Sequence, residues 1–222
     1  SKMPKVKGGL GRGMDALFGE MAEETENRIQ MIPIGQIDPN KEQPRKQFDL
    51  ESLDQLASSI RSVGIIQPIV VCPNGKRFTI VAGERRWRAA RMAELEEIPA
   101  IVRDVETIQR MEMALIENIQ RTDLNPLEEA QAVSSLMQEC GLTQEQIAQR
   151  IGKSRSAVAN LLRLLNLPTE VAELVAEGEL SEGHARAILG AEDPEMMISL
   201  ANQAVQRGLN VRQTEALAKA VK

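Results

Sequence analysis

The sequence predicts an α+β chain in two parts: a small mixed α/β domain, then an all-helical one. Three observations carry that expectation. Two short apolar runs flank Asn74-Gly75, the pattern of a tight β-hairpin. The second run, Phe78–Ala82, passes through Gly83 straight into a helical pattern. Beyond Asn125-Pro126 the apolar residues recur only at helical spacing.

Taken in order, residues 1–30 read as a tail, because Gly8, Gly9, Gly11 and Gly13 break any early helix. Within it Leu10, Met14, Leu17 and Phe18 fall at i, i+4, i+7 and i+8. That spacing suits either a short amphipathic helix on a partner or a disordered tail. A strand is expected over Met31–Ile37 and a helix over Leu50–Val63, stopped by Gly64. The hairpin strands are Ile69–Cys72 and Phe78–Ala82, followed by a helix over Glu84–Leu95. Another strand is expected at Ile98–Val105 and a long helix over Thr107–Gln120, whose buried stripe is Ile108, Met111, Leu115 and Ile119. The remaining helices are expected at Glu128–Cys140, Gln144–Arg150, Ser154–Leu165, Thr169–Glu177, Ser181–Leu189, Pro194–Arg207 and Val211–Lys222. The expected division is 1–30, 31–122 and 123–222.

Composition excludes several function classes. Aromatics are 2% of the 222 residues, too few for base-stacking platforms. Cys72, Cys140 and His184 are the only cysteines and histidine, so zinc sites and disulfide frameworks are implausible. No apolar run is long enough to span a membrane, and a cytoplasmic protein with no membrane partner is expected. The net charge of −5 hides basic clusters at Lys2–Arg12, Lys76–Arg91 and Arg150–Arg163. Local positive patches on an acidic body suit phosphate binding at defined places.

Gln144–Leu164 has the spacing of a helix-turn-helix. Ala148 is small where two helices would touch, Gly152 can take the left-handed turn, and Val158 locks the second helix on the first. Ile147, Ile151 and Leu161 would fill the shared core, and Ser154 would cap the second helix. Thr143, Gln144, Lys153, Ser154, Arg155, Ser156, Asn160 and Arg163 then form the expected DNA-binding set. Arg to guanine and Asn to adenine are the usual pairings. An ordinary helical hairpin could share the apolar pattern; cap, small residue and outward charge together favour DNA.

In the mixed domain, Thr79–Arg88 runs from strand through Gly83 into a helix start bearing Glu84, Arg85, Arg86 and Arg88. Free N–H groups, a glycine and several guanidiniums suit a phosphate. Glu84 could orient a metal or an attacking water. Glu117-Asn118 near the end of the long helix pairs a carboxylate with a carboxamide, a reasonable Mg²⁺ donor set. A solvated helix end with a Glu117–Arg121 pair would look the same. There is no phosphate-binding lysine loop and no dinucleotide glycine fingerprint.

Together these segments resemble the ParB family of bacterial partition proteins. The resemblance spans Leu10–Phe18, Gln43-Pro44-Arg45, Gly64–Pro68, Gly83–Arg86, Glu117–Pro126 and the helix-turn-helix. It implies a ParB/sulfiredoxin-like N-terminal fold that binds CTP with Mg²⁺ and hydrolyses it slowly. The implied nucleotide site comprises Gln43, Arg45, Gly64, Ile65, Ile66, Gln67, Pro68, Thr79, Ala82, Gly83, Glu84, Arg85, Arg86, Arg88, Asn118 and Arg121. Glu117 and Asn118 would hold the metal, while Glu84, Glu117 and Gln43 would support hydrolysis. Leu10, Arg12 and Leu17 would contact a ParA-type ATPase, and Arg12 would stimulate it. The helical domain would bind the double-stranded parS inverted repeat and close as a sliding clamp.

Family members also carry a C-terminal dimerisation domain, which is expected to be missing from residues 1–222. Self-association would then fall to the N-terminal domains. A nucleoid-occlusion factor or plasmid repressor of the same architecture is the alternative. Sulfiredoxin chemistry needs a cysteine in the strand-to-helix turn, where this sequence has Gly83-Glu84-Arg85-Arg86.

Overall fold

A computed structural model describes residues 29–42, 49–65 and 67–221. Its described residues divide into two compact units. Of the described residues, the mixed unit holds those from Ile29 to Met113 together with Met137–Gly141. The helical unit holds Ala114–Leu136 and everything from Leu142 onward. The tail residues Leu10, Arg12 and Leu17, and the site residues Gln43, Arg45 and Ile66, lie outside the described residues.

The mixed unit is built on five strands: β1 (Ile29–Pro33), β2 (Ile37–Asp38), β3 (Ile69–Asn74), β4 (Arg77–Ala82) and β5 (Glu97–Val102), in the order β1-β5-β3-β4-β2. The run expected as one strand, Met31–Ile37, is therefore two strands on opposite edges. Pro33 has no N–H for a ladder and ends β1; a 3-10 turn over Ile34–Gln36 leads into β2. β1 pairs antiparallel with β5, and β2 pairs parallel with β4. The four Cα steps from Pro33 to Ile37 reach at most about 14 Å. A flat sheet would separate its edge strands by about 19 Å over four strand spacings. The sheet must therefore curl strongly, which gathers Ile32 and Ile37 from the two edges into one buried cluster.

The hairpin forms one residue later than its dipeptide suggests. Asn74 pairs with Arg77, so Gly75-Lys76 is the loop, and Gly75 takes the positive φ of 62° at its first position. Helix α1 (Leu50–Val63) has the expected bounds, with the Asp49 carboxylate accepting from Glu51 N at 3.1 Å and Gly64 ending it at φ 78°. Helix α2 (Glu84–Met92) lays Trp87 and Ala90 on Ile69, Val71, Ile80, Ile98 and Ala100. Leu53, Ala57 and Ile60 of α1 pack against Ala89 of α2, where two alanines allow close approach. Ile65 touches both clusters and links them.

Helices α3 (Val105–Ile119) and α4 (Pro126–Cys140) each contribute residues to both units. In the mixed unit, Gly141 follows α4 at φ 70° so close to β4 that a Cβ there would sit 2.1 Å from the Val81 carbonyl oxygen. The neighbouring Cys140 thiol donates to the Ile108 carbonyl at 3.8 Å.

The helical unit continues through α5 (Gln144–Ile151), α6 (Arg155–Arg163), α7 (Thr169–Ala176), α8 (Glu182–Leu189), α9 (Pro194–Gln206) and α10 (Val211–Ala220). Its core includes Leu136, Ile147, Val158, Leu161, Leu164, Val171, Ile188 and Leu200, each almost wholly buried. His184 closes a capping box with Ser181, and its Nε2 lies 2.8 Å from the Leu209 carbonyl. The acceptor at Leu209 assigns the ring proton to Nε2, so Nδ1 accepts from Ser181 N. Among the described residues, no helix is long and apolar enough to cross a membrane.

Candidate functional sites

The strand-to-helix turn after β4 is shaped by one glycine. Gly83 caps α2 at φ 102°, in the left-handed region, and a Cβ there would lie 2.6 Å from Ile69 Cγ2. No larger residue fits without moving the buried Ile69 side chain. The first N–H groups of α2 therefore begin directly at the end of β4, beside the start of β3 where Ala82 pairs with Val70. A helix start of this kind presents orphan donors to an anion.

The arginines divide their work. Arg86 Nη1 donates to the Gln67 carbonyl at 2.9 Å and to the Pro68 carbonyl at 2.7 Å. It thus braces the Gly64–Pro68 turn from α2; burial lowers its pKa, with the Glu139 charge opposing that shift. Arg88 Nη2 pairs with Glu84 Oε1 at 3.3 Å, one helical turn away, holding a half-buried carboxylate at the helix start. Arg85 is exposed and donates to Ser52 Oγ of α1 at 2.5 Å. Thr79 lies half-buried on β4, paired with Cys72 of β3 and Asp38 of β2. The structure thus brings Gln67, Pro68, Gly83 and Arg86 together. It turns Arg85 toward α1.

Sequence reasoning missed the last turn of α4. Gln67 Nε2 donates to Gln138 Oε1 at 3.4 Å, and Arg103, at the end of β5, pairs with Glu139. A period-3.6 pattern shows which face of α4 is apolar, but not that its final turn belongs to another unit.

In the helical unit, Asn118 near the end of α3 is 4% exposed, and its Oδ1 has no hydrogen-bond partner among the described residues. An orphan buried carboxamide oxygen is costly without a ligand. Its neighbour Glu117 is exposed. One carboxylate and one orphan oxygen fit a hard cation that takes its other oxygens from phosphates and water. No cluster of three or more His, Cys, Asp or Glu suited to a metal occurs among the described residues, which alone offer no closed cage. Arg121 forms a two-pronged pair with Asp123, at 3.2 and 3.0 Å.

Helices α5 and α6 form the expected helix-turn-helix. Thr143 and Gln146 close a capping box on α5, Gly152 turns the chain at φ 69°, and Ser154 Oγ accepts from Ala157 N at 3.1 Å to start α6. Ile147, Ala148, Val158 and Leu161 are buried between the helices; Ile151 is half-buried. Thr143, Lys153, Ser154, Arg155, Ser156 and Arg163 are exposed, while Gln144 and Asn160 are half-buried. The hydroxyls of Thr143 and Ser154 are used as helix caps, while Arg155, Ser156 and Asn160 stand on the first turns of α6.

Comparison with known proteins agrees with this layout. Residues 20–119 match the ParB N-terminal domain and residues 122–222 match the ParB HTH domain. The chain is 48% identical over 215 residues to the chromosome-partitioning protein Spo0J of Thermus thermophilus, covering 97% of this chain and 78% of that one. Among solved structures, it is similar to C-terminally truncated ParB from Caulobacter crescentus complexed to the centromeric parS site, at 50% identity, with 86% and 97% of the two chains covered and a TM-score of 0.48. The same Caulobacter protein complexed with CTP-gamma-S matches at 48% identity, with 80% and 98% covered and a TM-score of 0.35. The two family models together match nearly all of residues 20–222, and a chromosome-partitioning relative is 48% identical over 97% of the chain: the protein belongs to the ParB family of chromosome-partitioning proteins.

Proposed function

We propose that this protein serves chromosome partitioning as a CTP-switched DNA clamp. α5 and α6 bind a parS-type inverted repeat, and the mixed unit binds CTP and hydrolyses it slowly. The observation that carries the reading is the exposed pair Arg155-Ser156 on the first turn of a capped α6. Such a helix start meets base edges and phosphates in the major groove. The organisation into a tail, a nucleotide domain to residue 122 and a DNA-binding domain from residue 123 belongs to this proposal. So does contact of Leu10, Arg12 and Leu17 with a ParA-type ATPase.

In this reading, the α2 start at Gly83-Glu84 and the Arg86 guanidinium receive the phosphates. The Gly64–Pro68 turn, with Ile65, Ile66 and Gln67, lies by the base, and Thr79 and Ala82 form the strand side of the pocket. Gln43, Arg45, Arg85, Arg88 and Arg121 complete the set. Glu117 and Asn118 would hold Mg²⁺, which when bound would neutralise charge on the phosphates and favour their cleavage. Glu84, Glu117 or Gln43 aligns the attacking water, so that hydrolysis gives CDP and phosphate.

The test is steady-state phosphate release from CTP, with Mg²⁺, in the presence of a parS or a scrambled duplex. Release that rises with parS alone, and is lost in Glu117→Gln while CTP binding persists, supports the reading. Release independent of DNA sequence contradicts the switch.

A further inference from the structure

The ammonium of Lys153 is not free to search for phosphates. Its Nζ lies 2.5 Å from Glu129 Oε1, with side chains 38% and 16% exposed respectively. Both partners sit on fixed backbone. Lys153 N donates to the Ala148 carbonyl at 3.0 Å, closing the turn after Gly152. Glu129 stands on the first turn of α4, where Asn125 Oδ1 accepts from Glu128 N at 2.9 Å and Asn125 Nδ2 donates to Glu128 Oε1 at 2.6 Å. The carboxylate is thus presented to the head of the recognition helix by a capped, rigid helix start.

We propose that Glu129 is a specificity-determining residue: it masks Lys153 from indiscriminate contact with DNA phosphates. The inference rests on the DNA-binding reading of α5 and α6 above. Non-specific affinity comes almost entirely from lysine and arginine neutralising phosphates, with counterion release. A lysine already neutralised by a carboxylate adds little to that term. A phosphate oxygen reaching the same ammonium also meets the negative charge of Glu129. Only a duplex held in register by Arg155, Ser156 and Asn160 offsets that repulsion with base contacts. The pair therefore suppresses binding to random DNA more than binding to the cognate repeat.

Glu129→Gln separates charge from geometry, because the carboxamide oxygen can still accept from Lys153. Fluorescence anisotropy with the full chain, on parS and scrambled duplexes over a salt series, reads the effect. The variant should bind scrambled duplex about two- to fivefold more tightly. Its log affinity should fall more steeply with log salt, by about 0.9. The gain on parS should be smaller, so the specificity ratio drops. Adding Lys153→Ala should erase the gain, and Lys153→Ala alone should leave the scrambled-duplex slope unchanged. An unchanged slope in Glu129→Gln would overturn the proposal. So would a gain that survives loss of Lys153, or a slope reduced by about 0.9 in Lys153→Ala alone. Should Glu129→Gln fail to fold, Lys153→Ala still decides. Absence of salt-dependent duplex binding by the parent protein would overturn the DNA-binding reading itself, and this proposal with it.

Discussion

Arg86 reaches back from α2 to the Pro68 carbonyl at 2.7 Å while the same Nη1 atom donates to Gln67 at 2.9 Å. One guanidinium thereby ties the helix start proposed to receive the phosphates to the turn proposed to lie by the base. Lysine keeps the charge but cannot reproduce this planar, multi-donor bracing. Arg86→Lys should lower stability by about 1–3 kcal/mol, read by urea unfolding, and weaken CTP binding by at least about tenfold. Native CTP affinity in the lysine variant would show that charge alone suffices.

Gly83 and Gly64 both take positive φ, yet they should respond differently to alanine. At Gly83 the new Cβ meets Ile69 Cγ2 at 2.6 Å, whereas nothing lies within 4 Å at Gly64. Gly83→Ala carries backbone strain plus a core clash and should cost about 2–4 kcal/mol. Gly64→Ala carries strain alone and should cost less, about 1–2 kcal/mol. Equal losses in denaturant titration would contradict the close approach to Ile69.

The orphan oxygen of Asn118 makes an unusual prediction, because stability and ligand binding should move in opposite directions. Asn118→Leu keeps the same branched heavy-atom skeleton and has no polar atom to leave unmet. It should be neutral or raise stability by about 1 kcal/mol, while Mg²⁺-dependent CTP binding is lost. A large destabilisation with binding intact would mean that the carboxamide has a structural partner.

Burial pushes the Cys140 thiol up from its ordinary 9.0 to about 12, with the Glu139 charge adding to the shift and Arg103 opposing it. A three-unit rise means about a thousandfold less thiolate near neutral pH. In a Cys72→Ser background, alkylation of Cys140 at pH 8 should proceed only as fast as the protein opens. Linkage gives the sign of the pH effect. The folded pKa lies above the unfolded one, so the contribution to stability is complete below pH 9 and is lost as pH rises toward 12. Cys140→Ala should therefore flatten the alkaline limb of the stability profile; an unchanged limb would contradict the shift.

Much of this fold was legible because its signals are local. α1 runs Leu50–Val63 as its period and closing Gly64 indicate, and both helices of the helix-turn-helix start at the caps Thr143 and Ser154. What failed was long-range. Apolar alternation over Met31–Ile37 cannot show that Pro33 ends one edge strand and that Ile37 begins the other. The site was legible as residue types but not as roles. Nothing near Arg86 in sequence says that it faces Pro68, and nothing near Gln138 or Glu139 says that they approach Gln67 and Arg103. Glu129 was invisible for the same reason, since its partner is 24 positions away.

The most direct test of the account is a calorimetric titration of the protein with each of the four ribonucleoside triphosphates and Mg²⁺, with and without a parS duplex. CTP alone among the four should bind, with an affinity that changes when parS is present. Binding of no nucleotide, or equal binding of all four regardless of DNA, would contradict the CTP switch and leave only the DNA-binding function of α5 and α6.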